Sequence, residues 1–262
     1  MYAHCESTGR KAQRGQQALC TDARNAPQNC CCRFSPGVDF NPDTLSGSII
    51  INITCVDSLS SAEALYIVKT VLASPYAFSS RFAVVRGGNC IGDFKVPAQT
   101  TAICTVCSIT LNALLHNHGI EATSKFGGVV EVSHHQPKKF SAFLSSGLAP
   151  LAPLDIFISC AMTSICKTIQ SGTGDVLGSF LEIPESHLQD AKKLYGRIKK
   201  IGMGGKIIFG MPSQSLLGMP VSIGSAGIVV FRDLNTVAAL TEKGIRGEVH
   251  TEKMLFDYAS LE

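Results

Sequence analysis

The chain has 262 residues, 45% of them hydrophobic and 16% charged, with a formal net charge of +3. That length supports one large domain or two small ones with a real core, and so weak a basic excess does not call for a nucleic-acid partner. No run of eighteen uncharged apolar residues occurs, and the N-terminus MYAHCESTGRKAQRGQQALCTD lacks an apolar core of signal-peptide length, so neither a membrane span nor export is expected and the chain reads as cytoplasmic.

Cys5, Cys20, Cys30, Cys31 and Cys32 crowd the start of a chain with 11 cysteines. Without an export signal they read as free or buried thiols. The segment around them is polar and has no apolar period, so residues 1–37 read as a disordered or mis-assigned leader. DFNPDTLSGS (39–48) is turn chemistry. SIIINITCV (48–56) is β-branched and reads as a strand. SSAEALYIVKTVLAS (60–74) reads as a helix, with Ser60 and Glu63 in capping-box spacing and Pro75 as its stop. Strands follow at 81–86 and 100–106, a helix at 108–118 that stops at Gly119, and a strand at 127–132. The order is β-α-β-β-α-β, the split βαβ or ferredoxin-like pattern.

The second half repeats that order. A strand is expected at 174–183, then a helix at 184–202 with Pro184 at its start. Strands at 205–210 and 226–231, a helix at 234–244 and a last strand at 247–258 complete it. LNALLHNHGIEATSK echoes LNTVAALTEKGIRGEVHTEK at near-constant spacing, which implies an internal duplication. The expected fold is therefore α/β (α+β): a first ferredoxin-like lobe over 38–132, a connector over 133–173 with one helix at 153–170, and a second lobe over 174–262. Small-molecule sites favour the seam between such lobes.

Cys104 and Cys107 form a CxxC, but Cys104 sits inside a strand and the helix begins after both. A redox pair would place its first cysteine at the helix N-terminus, and no further ligands converge at zinc spacing. The turn from Thr105 through Cys107 to Ser108 is more informative. A strand running into a helix presents N–H groups and a positive dipole end, which suit an anion; equally, Ser108 could simply cap the helix. Lys125, Phe126, Gly127 and Gly128 place a cation beside paired glycines, either to meet a carboxylate or as a strand bulge. Lys192, Lys193, Arg197, Lys199 and Lys200 fill the second half of their helix, complement its dipole and read as a solvated face. GMGG (202–205) follows that helix, the wrong end for a phosphate. His116, His118, His134 and His135 have no carboxylate partner at fixed spacing, so no catalytic residue and no metal site is assigned.

Taken together, TVCSITLNALL, SKFGGVVEV, PLDIFISCAMTS, SGTGDVLGSFLEIP, GMGGKIIFG and GIVVFRDLNTVAAL resemble, in order and spacing, the regulatory domain of the archaeal nitrogen repressor NrpR family over about 38–258. The resemblance implies a ligand-sensing domain rather than an enzyme. It implies the effector 2-oxoglutarate or a similar dicarboxylate, no cofactor, and assembly as a homodimer or higher oligomer. DNA would be reached only through a winged-helix domain, which residues 1–37 are too short to supply. The ligand residues it implies are Thr105, Cys107, Ser108 and Asn112, then Lys125, Phe126, Gly127 and Gly128, and Thr163 and Ser164 of the connector. Two other readings stand beside it: a cysteine-dependent redox or metal protein, and a structural oligomerisation module without a ligand.

Overall fold

The structure, a computed structural model, describes residues 37–145 and 153–262; the leader expected over 1–37 lies almost wholly outside them. The β-branched runs become strands and the 3.6-residue stripes become helices. β1 (Ser48–Asp57) passes through a short 3-10 turn into α1 (Ser61–Leu72), then β2 (Phe82–Arg86). A small hairpin of β3 (Cys90–Ile91) and β4 (Phe94–Lys95) precedes β5 (Thr100–Val106), α2 (Ile109–Asn117) and β6 (Thr123–Ser133). β7 (Gln136–Ser145), α3 (Pro153–Ser159) and α4 (Ile165–Ser171) follow. The second half holds β8 (Gly174–Pro184), α5 (Leu188–Lys200), β9 (Ile207–Phe209), β10 (Ser225–Phe231), α6 (Asn235–Glu242) and β11 (Gly247–Asp257).

The strands form two main antiparallel sheets, in the orders β11-β1-β5-β2 and β7-β6-β8-β10-β9. Within each, the four core strands take the order fourth-first-third-second of a ferredoxin-like unit. The fourth strand, however, comes from the other half. β6 pairs with β8, and β11 pairs with β1. The segments 38–132 and 174–262 therefore exchange their last strands. The two hydrophobic cores follow suit. One joins Ile51, Ile53, Cys104 and Leu114 to Ile183, Leu194 and Ile228; the other joins Val68 and Ile103 to Phe180, Val229 and Leu240. At roughly 1.5–3 kcal/mol for each large apolar side chain buried, the halves hold one another in place.

Several positions play matching parts in the two halves, which is compatible with a duplication. Thr110 Oγ1 bonds both backbone groups of Ile50, at 3.2 and 3.3 Å. Asn235 bonds both backbone groups of Leu177, at 2.8 and 3.1 Å. Gly119 and Gly244 end α2 and α6 with φ of 72° and 76°, and Ile120 and Ile245 then bond back to Leu115 and Leu240.

The connector is not wholly helical. Residues 136–145 form β7 on the edge of the second sheet, joined to β6 by a tight turn with His134 and His135 at φ of 53° and 60°. The QPKK start suits an edge strand, where proline and lysine block further pairing. The helix expected at 153–170 is two, broken where Ala161 turns left-handed. The Ser60–Glu63 capping box is not formed by the Ser60 side chain, and Pro184 ends β8, with α5 starting at Leu188.

The segments after α1 and α5, equivalent in the two halves, meet. Ser80 N–H donates to Gly202 O at 2.9 Å and Lys206 N–H to Pro75 O at 3.2 Å. Gly205 sits there at φ 47°, and a Cβ on it would overlap the carbonyl oxygen of Ala77. Neither backbone can give way, so Gly205→Ala is expected to lower the unfolding free energy by about 2–4 kcal/mol, read as a lower urea midpoint.

Candidate functional site

The turn after β5 is built, but it is filled from within. Thr105, Cys107, Ser108 and Asn112 are all buried. The Ser108 N–H at the head of α2 donates to Asp233 Oδ1 at 2.9 Å. The other oxygen of Asp233 accepts from Asn52 Nδ2. Asp233 lies just before α6 in the opposite half, yet its carboxylate serves α2. The anion that the helix dipole favours is thus present as part of the chain. The Ser108 hydroxyl makes no cap bond and is buried without a partner among the described residues.

The connector repeats the arrangement. Glu242, at the end of α6, accepts from Thr163 Oγ1 at 3.0 Å, Ile165 N–H at 2.7 Å and Cys166 N–H at 2.9 Å. It closes the start of α4 and fixes the break after α3. Ser164 is taken up with Asp175: its N–H donates to Asp175 O, and its Oγ accepts from Asp175 N–H at 2.8 Å.

Lys125 falls in an irregularity of the β6–β8 ladder between Ser124 and Phe126, which turns it toward Glu182 at 2.9 Å. Glu182 also accepts from Ser222 N–H at 3.1 Å. Burial alone would raise the Glu182 pKa; the hydrogen bonds from Lys125 and Ser222 outweigh it and hold the carboxyl below its ordinary value. Phe126 stacks on Phe180 with ring centroids 5.0 Å apart. Gly127 and Gly128 lie mid-strand, and β7 passes so close that a Cβ on Gly128 would overlap Ala142 O.

Cys104 is fully buried in β5. Burial, then the neighbouring Cys55, pushes its thiol pKa to about 12, so it is not a nucleophilic thiolate at neutral pH. Among the described residues no group of three or more His, Cys, Asp and Glu could hold a metal ion, and no helix is long and apolar enough to cross a membrane.

A concavity of about 540 Å³ lies elsewhere, between residues 72–80 and 199–206. Its walls include Ser74, Ser79, Ser80, Lys199, Met203 and Lys206. The Ser79 and Ser80 hydroxyls both donate to Gly202 O, at 3.2 and 3.3 Å. GMGG, set aside in the sequence as the wrong end of a helix, forms one rim. Only the pairing of two connectors 120 or more residues apart in sequence creates this cleft, so sequence spacing carries no signal for it.

The description of NrpR regulatory domains NRD1 and 2 matches residues 33–262. This chain belongs to that family. It is 27% identical to the global nitrogen regulator NrpRI of Methanosarcina mazei over 222 residues, which cover 85% of this chain and 68% of that protein. It is 27% identical to the global nitrogen regulator NrpR of Methanococcus maripaludis over 67% of this chain and 32% of that one. The corresponding regulator of Methanocaldococcus jannaschii is 24% identical, with 79% and 34% covered. The chain thus spans about two thirds of one relative and a third of the others. The fold matches the crystal structure of a nitrogen repressor-like protein from Methanococcus jannaschii, with a TM-score of 0.74 at 20% identity over 88% of this NrpR-type chain and 95% of that one.

Two outcomes follow from the carboxylates. Asp233→Ala strips Ser108 N–H and Asn52 of their acceptor in a buried place, and should cost about 2–4 kcal/mol in urea unfolding. Glu182 has a folded pKa below its unfolded one, so its contribution is present above the unfolded value and lost as pH falls through the folded value. Glu182→Gln should flatten that acid limb of stability, measured as urea midpoint against pH.

Proposed function

We propose that this chain is the effector-sensing part of a nitrogen-responsive transcriptional repressor, and that its effector is 2-oxoglutarate or a similar dicarboxylate. The family match over residues 33–262 carries the reading, and the relatives named as global nitrogen regulators support it. In this reading the chain is a cytoplasmic, non-catalytic module that works as a homodimer or higher oligomer. DNA is engaged by a winged-helix domain of the whole repressor, and ligand binding here relieves repression.

The chemistry on the surface agrees with such a ligand. A dicarboxylate needs cations, hydroxyls and backbone N–H groups in a concavity of modest size. The buried Thr105–Ser108 turn offers such groups only if Asp233 is displaced, whereas the cleft between residues 72–80 and 199–206 is lined by Lys199, Lys206, Ser74, Ser79 and Ser80.

Thermal unfolding tests the effector. A ligand that binds only the folded chain adds about 2.7 kcal/mol at 100 times its Kd, so 2-oxoglutarate should raise the Tm by roughly 5–10 °C. Glutarate, which lacks the keto group, should raise it less. No rise with millimolar 2-oxoglutarate would overturn the effector assignment.

A further inference from the structure

We propose that the outer edge of β2 and the exposed face of α1 form the surface through which two copies of this chain pair, β2 antiparallel to β2; this rests on the homodimer reading above and gives it an interface. The hydrogen bonds show which groups are open. Phe82 N–H donates to Glu262 O at 3.4 Å, and Glu262 N–H donates to Phe82 O at 2.8 Å, so both backbone groups of Phe82 point away from β5. These directions alternate along a strand. Phe82, Val84 and Arg86 therefore turn their backbone outward, while Ala83 and Val85 face β5 in an unbroken register. β2 is the last strand of its sheet. Residues Tyr258–Ser260 form a 3-10 turn, so the segment that ends in Glu262 covers the Phe82 rung and leaves Val84 and Arg86 open. No proline or bulge blunts this edge.

The register and the charges favour a second copy as the occupant. Two open positions are too few for a long foreign strand, but they complete each other across a two-fold axis: Val84 of one copy faces Arg86 of the other, and the reverse. The Arg86 carbonyl accepts from the exposed Asn89 side chain at 3.0 Å, a bond that Val84 N–H of the second copy replaces. Beyond Arg86 the chain leaves the strand at Gly88, at φ 86°, before it reaches the rung held by Glu262. Two rungs bury too little alone, since a stable interface takes roughly 800 Å² a side. α1 supplies the rest. Leu59 and Tyr66 are 95% and 74% exposed, and Val84 is exposed beside them. A hollow of about 160 Å³ between α1 and β2 is lined by Ala62, Leu65, Val84 and Ile103, among others. Tyr66 lies one turn after Ala62 on the same helix face and is the anchor that the hollow of the second copy receives. The equivalent helix of the other half has no such face. Ala64, Ile67 and Val71 are buried in α1 as Ala191, Leu194 and Ile198 are in α5. Counted from them, Gln189, Lys192 and Lys193 stand where α1 has Ala62, Leu65 and Tyr66. Among the described residues neither Glu63 nor Arg86 has an ion-pair partner. Across the axis Arg86 of the second copy comes beside Val84 and Ala62, and so within reach of Glu63.

Sedimentation velocity of the 262-residue chain tests the surface, with circular dichroism to check that each variant folds. The expected result is a wild-type dimer, dimerisation weakened at least about 30-fold by Tyr66→Lys and by Val84→Pro, and no change with the control Lys192→Ala. Tyr66→Lys gives α1 the residue type that α5 carries at the equivalent position, and Val84→Pro removes only an N–H that faces outward. Arg86→Glu should weaken the dimer as well, and Glu63→Arg added to it should restore pairing; no restoration would overturn the two-fold register. A wild-type dimer that Tyr66→Lys and Val84→Pro leave intact would overturn the interface and leave the homodimer reading standing. A wild-type assembly larger than a dimer supports the interface where Tyr66→Lys reduces its size and overturns it where the size is unchanged. A wild-type chain that stays monomeric would overturn both, and leave the edge to a strand of another protein.

Discussion

Each sheet takes the strand beside its first strand from the other half of the chain: β6 lies against β8, and β11 against β1. Backbone N–H and C=O groups buried in a sheet must be paired, so the halves cannot part without opening both ladders. The rest of the architecture is a consequence. α2 carries the chain out of the first sheet into the second, and α6 carries it back. α1 packs on α6, so a helix of one half covers a helix of the other. The two cores are shared between halves for the same reason, and the connectors after α1 and α5 are brought edge to edge.

The crossing paths also decide what happens at the helix ends. A helix N-terminus left in a buried place needs acceptors for its free N–H groups. α2 gets one from Asp233 and α4 gets one carboxylate, that of Glu242, both from the neighbourhood of α6. Each is a charge-assisted bond between segments far apart in sequence. These carboxylates act as internal anions: they stabilise the turns and occupy the positions where an outside anion would otherwise bind. Of the two, Asp233 is buried; a buried carboxylate costs a great deal when unpaired, and Asn52 completes the set around it.

Much of the fold was legible in the residues, and the reasons for the gaps are specific. The strands at 48–57, 100–106 and 225–231 and the helices α1, α2 and α6 follow from β-branched runs and apolar stripes, which are local signals. β7 has no clear strand signature because Pro137, Lys138 and Lys139, which an edge strand tolerates, open it. The break between α3 and α4 was missed because it depends on Glu242, some 77 residues away from Ile165. The strand exchange was missed because the order β-α-β-β-α-β is the same whichever sheet receives the last strand. The strand-to-helix junction at Cys107 and Ser108 is legible in the residues, with Thr105 still inside β5, but the acceptor waiting in Asp233 has no local signature. RDLN reads as the start of its own helix.

The basic run on α5 shows how much placement matters. Read along the chain, Lys193, Arg197 and Lys199 are one solvated stripe near a helix C-terminus. In space they separate. Lys193 pairs with Asp190 three residues back. Arg197 reaches Asp43 in the turn before β1. Lys199, two residues further on and so on another side of the helix, stands over the Tyr195 ring beside the cleft wall. Exposed pairs such as the first contribute little stability. A net charge of +3 says almost nothing about how charge is distributed: among the described residues the cleft wall holds Lys199 and Lys206 and no Asp or Glu.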